Sequence, residues 1–262
     1  MMRALYTAAS GMLAEQLNTD NIAHNLANVN TTGFKKARIE FQDLFYQTLR
    51  EAGTPTAQGA SIPVPLQIGL GVRSVAEQKM FIQGNLVSSE HMYDLAIAGE
   101  GFFQIQMPNG EIGYTRDGSF KIDKDGNIVN ANGYYLEPPI SVPQNALHFN
   151  VTEDGAVTVN IPGQVDPQEI GQITLVRFVN PAGLNRIGNN LYVETAASGP
   201  AIEGQPLLEG FGSIQQLFLE QSNVKVVEEM VNLIVAQRAY EVNSKAIQTS
   251  DDMLGVANNL KR

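Results

Sequence analysis

From Ile214 to Leu260 the chain reads IQQLFLEQSNVKVVEEMVNLIVAQRAYEVNSKAIQTSDDMLGVANNL, and no Gly or Pro interrupts it between Ile214 and Leu254. A run that long without a breaker predicts a long helix rather than an ordinary globular one. Val235, Ala239, Val242, Ala246, Thr249, Met253, Val256 and Leu260 follow at alternating intervals of four and three, and seven of these eight are apolar. That spacing is a heptad seam, which packs along its length against other helices. Glu241, Lys245, Asp251 and Asp252 lie in the same stretch and exclude a membrane span. At 1.5 Å per residue the helix would be roughly 60 Å long, more than a domain of this size covers with its own core. A long helix in an ordinary homodimer would show the same spacing.

The other end of the chain repeats the pattern. From about Arg3 to Val29, Leu5, Ala9, Met12, Gln16, Thr19, Ala23 and Leu26 keep the four-three interval, with Gly11 as the weak point. The run ends at Asn28-Val29-Asn30-Thr31-Thr32-Gly33, where the Asn residues, two β-branched threonines and a glycine disfavour a further turn. Two such helices at opposite ends of one sequence can pair with each other, and a seam broader than one partner covers invites further copies.

Between the helices the period changes. Ile39 to Phe45 reads as either helical or extended. From Ala52 to Val72 there is no charged residue, and seven Gly or Pro punctuate the stretch. Its apolar residues Ile62, Val64, Leu66, Ile68 and Leu70 alternate, which predicts an extended arm laid on another surface, or else a flexible linker. From Asp94 to about Val193 apolar residues alternate with polar ones, separated by Asn109-Gly110, Asp117-Gly118, Asp125-Gly126, Asn132-Gly133 and Asp154-Gly155. These dipeptides suit primed hairpin turns, whose central residues need positive φ. The expected fold class is therefore α+β, with long N- and C-terminal heptad helices pairing as a coiled-coil-like end domain and an antiparallel, hairpin-rich β domain between them. The expected boundaries are 1–33 for the first helix, 34–93 for the arm and connection, 94–213 for the β domain and 214–262 for the last helix.

Composition narrows the function. Among 262 residues there is no cysteine, which removes disulfides, thiolate catalysis and Cys-based metal sites. The formal net charge of −10 argues against nucleic acid or an anionic membrane as partner. Met1-Met2-Arg3-Ala4-Leu5-Tyr6 opens no apolar core of signal-peptide length, so the expectation is a protein that stays in the cytoplasm or leaves by a route without leader cleavage.

Chemistry-bearing motifs are absent from this reading. Asp123-Lys124-Asp125-Gly126-Asn127 resembles the start of a calcium loop, but its glycine comes two positions early and Tyr134 stands where a bidentate Glu is needed. His24, His91 and His148 have no metal-binding spacing, and no Gly-x-Ser-x-Gly elbow occurs. No enzyme activity, no cofactor and no metal are expected.

Three groups of residues carry a resemblance. Leu5-Tyr6-Thr7-Ala8-Ala9-Ser10-Gly11-Met12 and Asn25-Leu26-Ala27-Asn28-Val29-Asn30-Thr31-Thr32-Gly33-Phe34-Lys35 resemble the N-terminal signature of the bacterial flagellar rod and hook family. Ser222-Asn223-Val224, Glu228-Glu229-Met230-Val231, Gln237 to Lys245 and Asp252-Met253-Leu254 are similar to its C-terminal signature. Asp94 to Phe103 and Tyr114 to Phe120 resemble its β domain.

The length, the uncharged insertion and Gly69-Leu70-Gly71-Val72-Arg73 favour the rod segment just below the hook over longer hook proteins, with a proximal rod protein as the alternative. The sequence departs from the family at Gln216-Leu217-Phe218, where Gln-Gly is usual, so the path into the last helix is expected to differ.

The resemblance implies a structural subunit that self-assembles into a rigid hollow helical shaft in the basal body, spanning the periplasm. Its partners would be itself, proximal rod and hook proteins, peptidoglycan and outer-membrane ring proteins, and the flagellar type III export apparatus. Nucleic acid and a membrane span would have no part in it.

The subunit contacts would then lie on Leu5, Ala9, Met12, Leu26, Val235, Ala239, Val242, Ala246, Met253, Val256 and Leu260. A neighbouring subunit would be reached by the arm carrying Ile62, Val64, Leu66, Ile68 and Leu70. The competing class is a soluble coiled-coil dimer with a ligand-binding β domain.

Overall fold

The computed structural model describes residues 2–53, 63–163 and 166–259. The chain divides into two compact units, one of Met1–Leu26, Ala37–Gln78 and Lys225–Arg262, the other of Ala27–Lys36 and Lys79–Val224.

The first unit holds both long helices. Helix α1 spans Met2–Ala27. Its exit strand, β1 (Ala37–Asp43), is pinned by Asn25, whose Nδ2 donates to the Ala37 carbonyl at 2.9 Å while its Oδ1 accepts the Ala37 N–H at 3.0 Å. The buried amide thus takes the place of a strand partner. Of the residues that read as either helix or strand, Ile39 to Asp43 therefore lie in a strand, while Leu44 and Phe45 lie beyond its end. β2 (Tyr46–Arg50) pairs antiparallel with β3 (Leu66–Gly69), Tyr46 opposite Gly69 and Gln47 opposite Ile68, and β4 (Val72–Lys79) pairs with β1. Leu66–Gly69, from the uncharged stretch, is thus the returning limb of a two-stranded ribbon, while residues 54–62 of that stretch lie outside the described residues. Pairing satisfies backbone groups that a lone extended segment would leave open. The ribbon meets α1 at Gly71, where an added Cβ would lie 2.2 Å from Ser10 Oγ.

Helix α2 spans Val226–Asn259, so it begins later than Ile214. Ser213–Gln216 pairs instead with Leu95–Ala98, and Phe218–Glu220 with Leu86–Ser88. Leu217 breaks between them with φ 65°. Strand partners distant in sequence overrule the local helical pattern.

The second unit is strand-rich. Its largest sheet has seven antiparallel strands in the order Asn185–Gly188, Leu191–Val193, Ile112–Thr115, Phe103–Gln106, Tyr135–Glu137, Ile128–Val129 and Lys121–Ile122. A three-stranded sheet joins His148–Val151, Ala156–Asn160 and Gln168–Gln172. Four of the five turn dipeptides sit between successive paired strands, with Gly110, Gly126, Gly133 and Gly155 at φ 81–86°. Asp117-Gly118 is different: Gly118 has no positive φ, and a Cβ there would lie 1.6 Å from the Leu95 carbonyl oxygen, so this glycine serves backbone approach. Asp123–Asn127 is a hairpin turn, closed by the Asp123 N–H donating to the Asn127 carbonyl at 3.0 Å.

Phe103, Ile105, Leu136, Val157, Leu175 and Ile214 are fully buried members of the main core. Phe102, Tyr114, Val176, Phe178, Leu184 and Tyr192 form a smaller one, with edge-to-face rings such as Tyr114 on Phe178 at 4.8 Å. α+β is thus the observed class, with two long terminal helices flanking a strand-rich domain.

Leu217 holds a left-handed backbone that a side chain with a Cβ resists. Leu217→Gly should stabilise the protein by about 1 kcal/mol, the relieved strain less the added chain entropy of glycine. Thermal unfolding of the two chains side by side checks this, and a lower midpoint for the glycine form would contradict it.

Candidate assembly surface

Helix α2 has two faces of opposite character. Glu229, Leu233, Ala236, Tyr240, Asn243, Ile247, Ser250 and Leu254 follow at intervals of four and three, and all but Tyr240 are buried or half-buried. This seam is built largely of small or polar residues, with Ala236 only 1% exposed. Asn243 meets Gly11 of α1, where a Cβ would lie 2.9 Å from Asn243 Nδ2. The glycine that weakens α1 as an isolated helix therefore makes room for a side chain of α2.

The other face of α2 is apolar and open. Val227, Val231, Ile234, Val235, Val242, Met253 and Val256 are all exposed, Val242 at 65%. At 100° per residue they fall within one broad stripe opposite the buried seam. Of the residues expected from the sequence to make subunit contacts, Val235, Val242, Ala246, Met253 and Val256 are exposed and Ala239 is half-buried. Leu260 lies outside the described residues. On α1, Leu5, Ala9, Met12 and Leu26 are half-buried, while Met2, Tyr6, Leu13 and Leu17 make an exposed apolar stripe that sequence reasoning missed. Their spacing of four, seven and four was the available signal.

The expected arm residues are divided. Ile62 lies outside the described residues, Val64 is 66% exposed, Leu66 and Leu70 are exposed, and Ile68 is half-buried within β3. Beside α1, β4 forms one wall of a groove of ≈ 400 Å³ with Leu13, Leu17, Val72 and Arg73 in its lining.

A cluster of buried charges lies in the strand-rich unit. Lys35 Nζ is 2.6 Å from Glu220 Oε1, and Arg116 NH1 is 3.5 Å from Glu220 Oε2, with all three side chains at most 4% exposed. Lys35 also donates to the Ile82 carbonyl at 2.9 Å, Arg116 NH2 to the Gly99 carbonyl at 2.8 Å, and the Gly84 N–H to Glu220 Oε1 at 2.8 Å. Burial lowers the Lys35 and Arg116 pKa values, and the Glu220 carboxylate opposes that shift in both.

Asn223 extends the cluster by accepting the Lys36 N–H at 2.7 Å and donating to the Met80 and Ile82 carbonyls at 2.8 and 3.0 Å. Arg116 lies over the Phe102 ring at 5.4 Å, which joins the charges to the smaller core. In that core burial pushes the Tyr192 phenol up to about 12. The arrangement has ion pairs and no open reaction space, so it is suited to holding backbone segments together. Among the described residues no group of His, Asp and Glu could hold a metal ion, and no helix is long and apolar enough to cross a membrane.

Three stretches match family models: residues 5–35 match "Flagella basal body rod protein", 96–159 the "Flagellar hook protein FlgE/F/G D1 domain" and 215–260 the "Flagellar basal body rod FlgEFG protein C-terminal". A Borreliella burgdorferi protein named flagellar basal-body rod protein FlgG is 54% identical, with 100% of both chains covered. The chain belongs to the flagellar basal-body rod protein family. Rod proteins of the same printed name from Buchnera aphidicola subsp. Schizaphis graminum and Bacillus subtilis are 49% and 41% identical, over 97% and 100% of this chain and 98% and 100% of theirs. In this rod protein, Lys35, Arg116 and Glu220 come one each from the three matched stretches. The protein is accordingly a structural subunit of the flagellar rod.

Removing the Glu220 charge leaves two buried cations without their carboxylate. Glu220→Gln should therefore destabilise the strand-rich unit by about 3 kcal/mol. Urea unfolding followed by near-UV absorbance or tyrosine emission measures it, and a loss below about 1 kcal/mol would mean that the cluster is solvated rather than sealed.

Proposed function

We propose that the chain is the distal rod subunit, polymerising into a stiff, hollow helical shaft that transmits torque to the hook and passes exported proteins through its channel. The observation that carries this reading is the open apolar stripe of α2 opposite a seam that is already covered. An exposed apolar stripe of that length marks a face that packs on a partner. The relatives that span the chain end to end bear the name of the basal-body rod. The same reading puts the protein in the basal body across the periplasm, exported by the type III apparatus. Its partners are copies of itself, the proximal rod and hook proteins, and the peptidoglycan and outer-membrane rings. It is not an enzyme and takes no cofactor.

In this reading the terminal helices pair antiparallel as a coiled-coil-like end domain. Gly11 faces Asn243, whereas Gln16, Thr19 and Asp20 share a cleft with Gln237, Tyr240 and Glu241. Numbers rise along one helix as they fall along the other. The subunit contacts are then the exposed positions Val235, Val242, Ala246, Met253 and Val256, together with Leu5, Ala9, Met12, Ala239 and Leu26 at the margins, and Leu260 by continuation of the heptad. The ribbon carrying Val64, Leu66, Ile68 and Leu70, with Ile62 before it, reaches a neighbouring subunit and resists axial sliding.

Val242→Asp tests the stripe. Val242 is 65% exposed, so the monomer should keep its circular dichroism and melting temperature, while nucleated polymerisation is lost because the charge would be buried unpaired. Polymers forming at the unmodified rate would defeat the proposal.

Deleting Thr54 to Leu66 tests the ribbon. The shortened subunit should still be exported, and the rods it forms should bend more in electron micrographs. Rods of unchanged stiffness would remove the ribbon from the mechanism.

A further inference from the structure

Thr249, Asp252, Met253 and Val256 follow at i, i+3, i+4 and i+7 and therefore share one face of α2, and all four are exposed. With Gly11 level with Asn243, an antiparallel α1 reaches with Met2 only to roughly the level of Asp252. The last turns of α2 run past the described part of its partner helix and carry an apolar pair beside an acid.

The groove between α1 and β4 has the opposite complement. Its lining includes Leu13 and Leu17, exposed at 64% and 44%, and Arg73 is its one charged member. Arg73 NH2 donates to Gln42 Oε1 at 3.3 Å on the exposed ribbon, and no acidic residue lines the groove.

We propose that this groove receives the Asp252–Val256 face of α2 from a second copy of the chain. Met253 and Val256 lie on Leu13 and Leu17, and Asp252 pairs with Arg73. The inference rests on the polymer reading above and names the contact that would propagate it.

Within one chain the contact cannot form. Leu17 of an antiparallel α1 lies near residue 237 of its own α2, and Val256 is about 28 Å further along at 1.5 Å per residue. Two copies joined this way are offset by about the same length along their helices. Groove and docking face occupy different places on the molecule, so the contact is heterologous, and the offset along the helices makes it repeat as an open series rather than a ring.

The chain contains no cysteine, so introduced thiols meet no background. The full-length Leu17→Cys, Val256→Cys double variant is polymerised from nuclei and oxidised with copper phenanthroline in air. Each disulfide forms from two thiols, whose two electrons and two protons go to oxygen.

The expected result is a ladder of covalent multimers on non-reducing gels, absent from either single-cysteine variant. Polymers without a ladder overturn this docking while leaving the polymer reading intact. Failure of the unmodified chain to polymerise at all overturns both.

In the cysteine-free background, Arg73→Glu and Asp252→Arg should each lower polymer yield by about tenfold or more, and the two together should restore it. Single variants that polymerise normally, or a pair that fails to recover, would overturn the Asp252–Arg73 contact.

Discussion

The Glu220 carboxylate is the point on which the strand-rich unit depends. Taking Lys35, Arg116 and Glu220 out of water costs several kcal/mol per ion, and the cost is offset only where geometry and further hydrogen bonds are good. Here they are: the 2.6 Å contact to Lys35 is supplemented by backbone partners at Ile82, Gly84 and Gly99. Ile82 and Gly84 lie in the connection between Lys79 and Leu86, and Gly99 in the turn that follows Ala98. The triad therefore specifies which segments meet as well as contributing to their stability. Asn223 does the same with neutral groups, taking the Lys36 N–H and two carbonyls from Met80 and Ile82.

The helices obey a different constraint. Fully burying one Val, Ile or Met is worth about 1.5–3 kcal/mol, whereas association costs about 4–15 kcal/mol in lost freedom. A contact that buried only one or two apolar side chains, counting both partners, would scarcely hold. A neighbour covering five or six would hold well, so contacts along α2 come in blocks and a free pair of subunits is disfavoured relative to an established end. For the proposed polymer these magnitudes favour nucleated growth.

Sequence period located the helices and the hairpins because both depend on local patterns: α1 spans nearly the predicted residues, and four of the five turn dipeptides are hairpin tips. The same method chose the apolar stripe on α2, which is the open one. The covered seam escaped notice because Ala236, Asn243 and Ser250 are small or polar, and their burial is not written in hydrophobicity. The start of α2 was missed for another reason. Residues 214–220 have a helical pattern but find strand partners at 86–88 and 95–98, and pairings across more than a hundred residues leave no local trace. Leu217 did leave one: the resemblance implied a glycine near this point, and the positive φ found at Leu217 is one that glycine adopts freely. The Lys35, Arg116 and Glu220 cluster gathers residues from three distant stretches, and no single stretch announces it.

Glycine divides the molecule into places that can vary and places that cannot. At Gly33, Gly84 and Gly118 an added methyl would meet backbone atoms at 2.6, 1.9 and 1.6 Å, and the first of these also holds φ 67°. At the hairpin tips Gly110 and Gly133, by contrast, nothing lies within 4 Å. Tips of that kind accept extra residues with little loss of stability. The outer hairpins are thus sites where a tag, a fluorophore or a lineage-specific insertion can be carried without disturbing the buried charges or the helices.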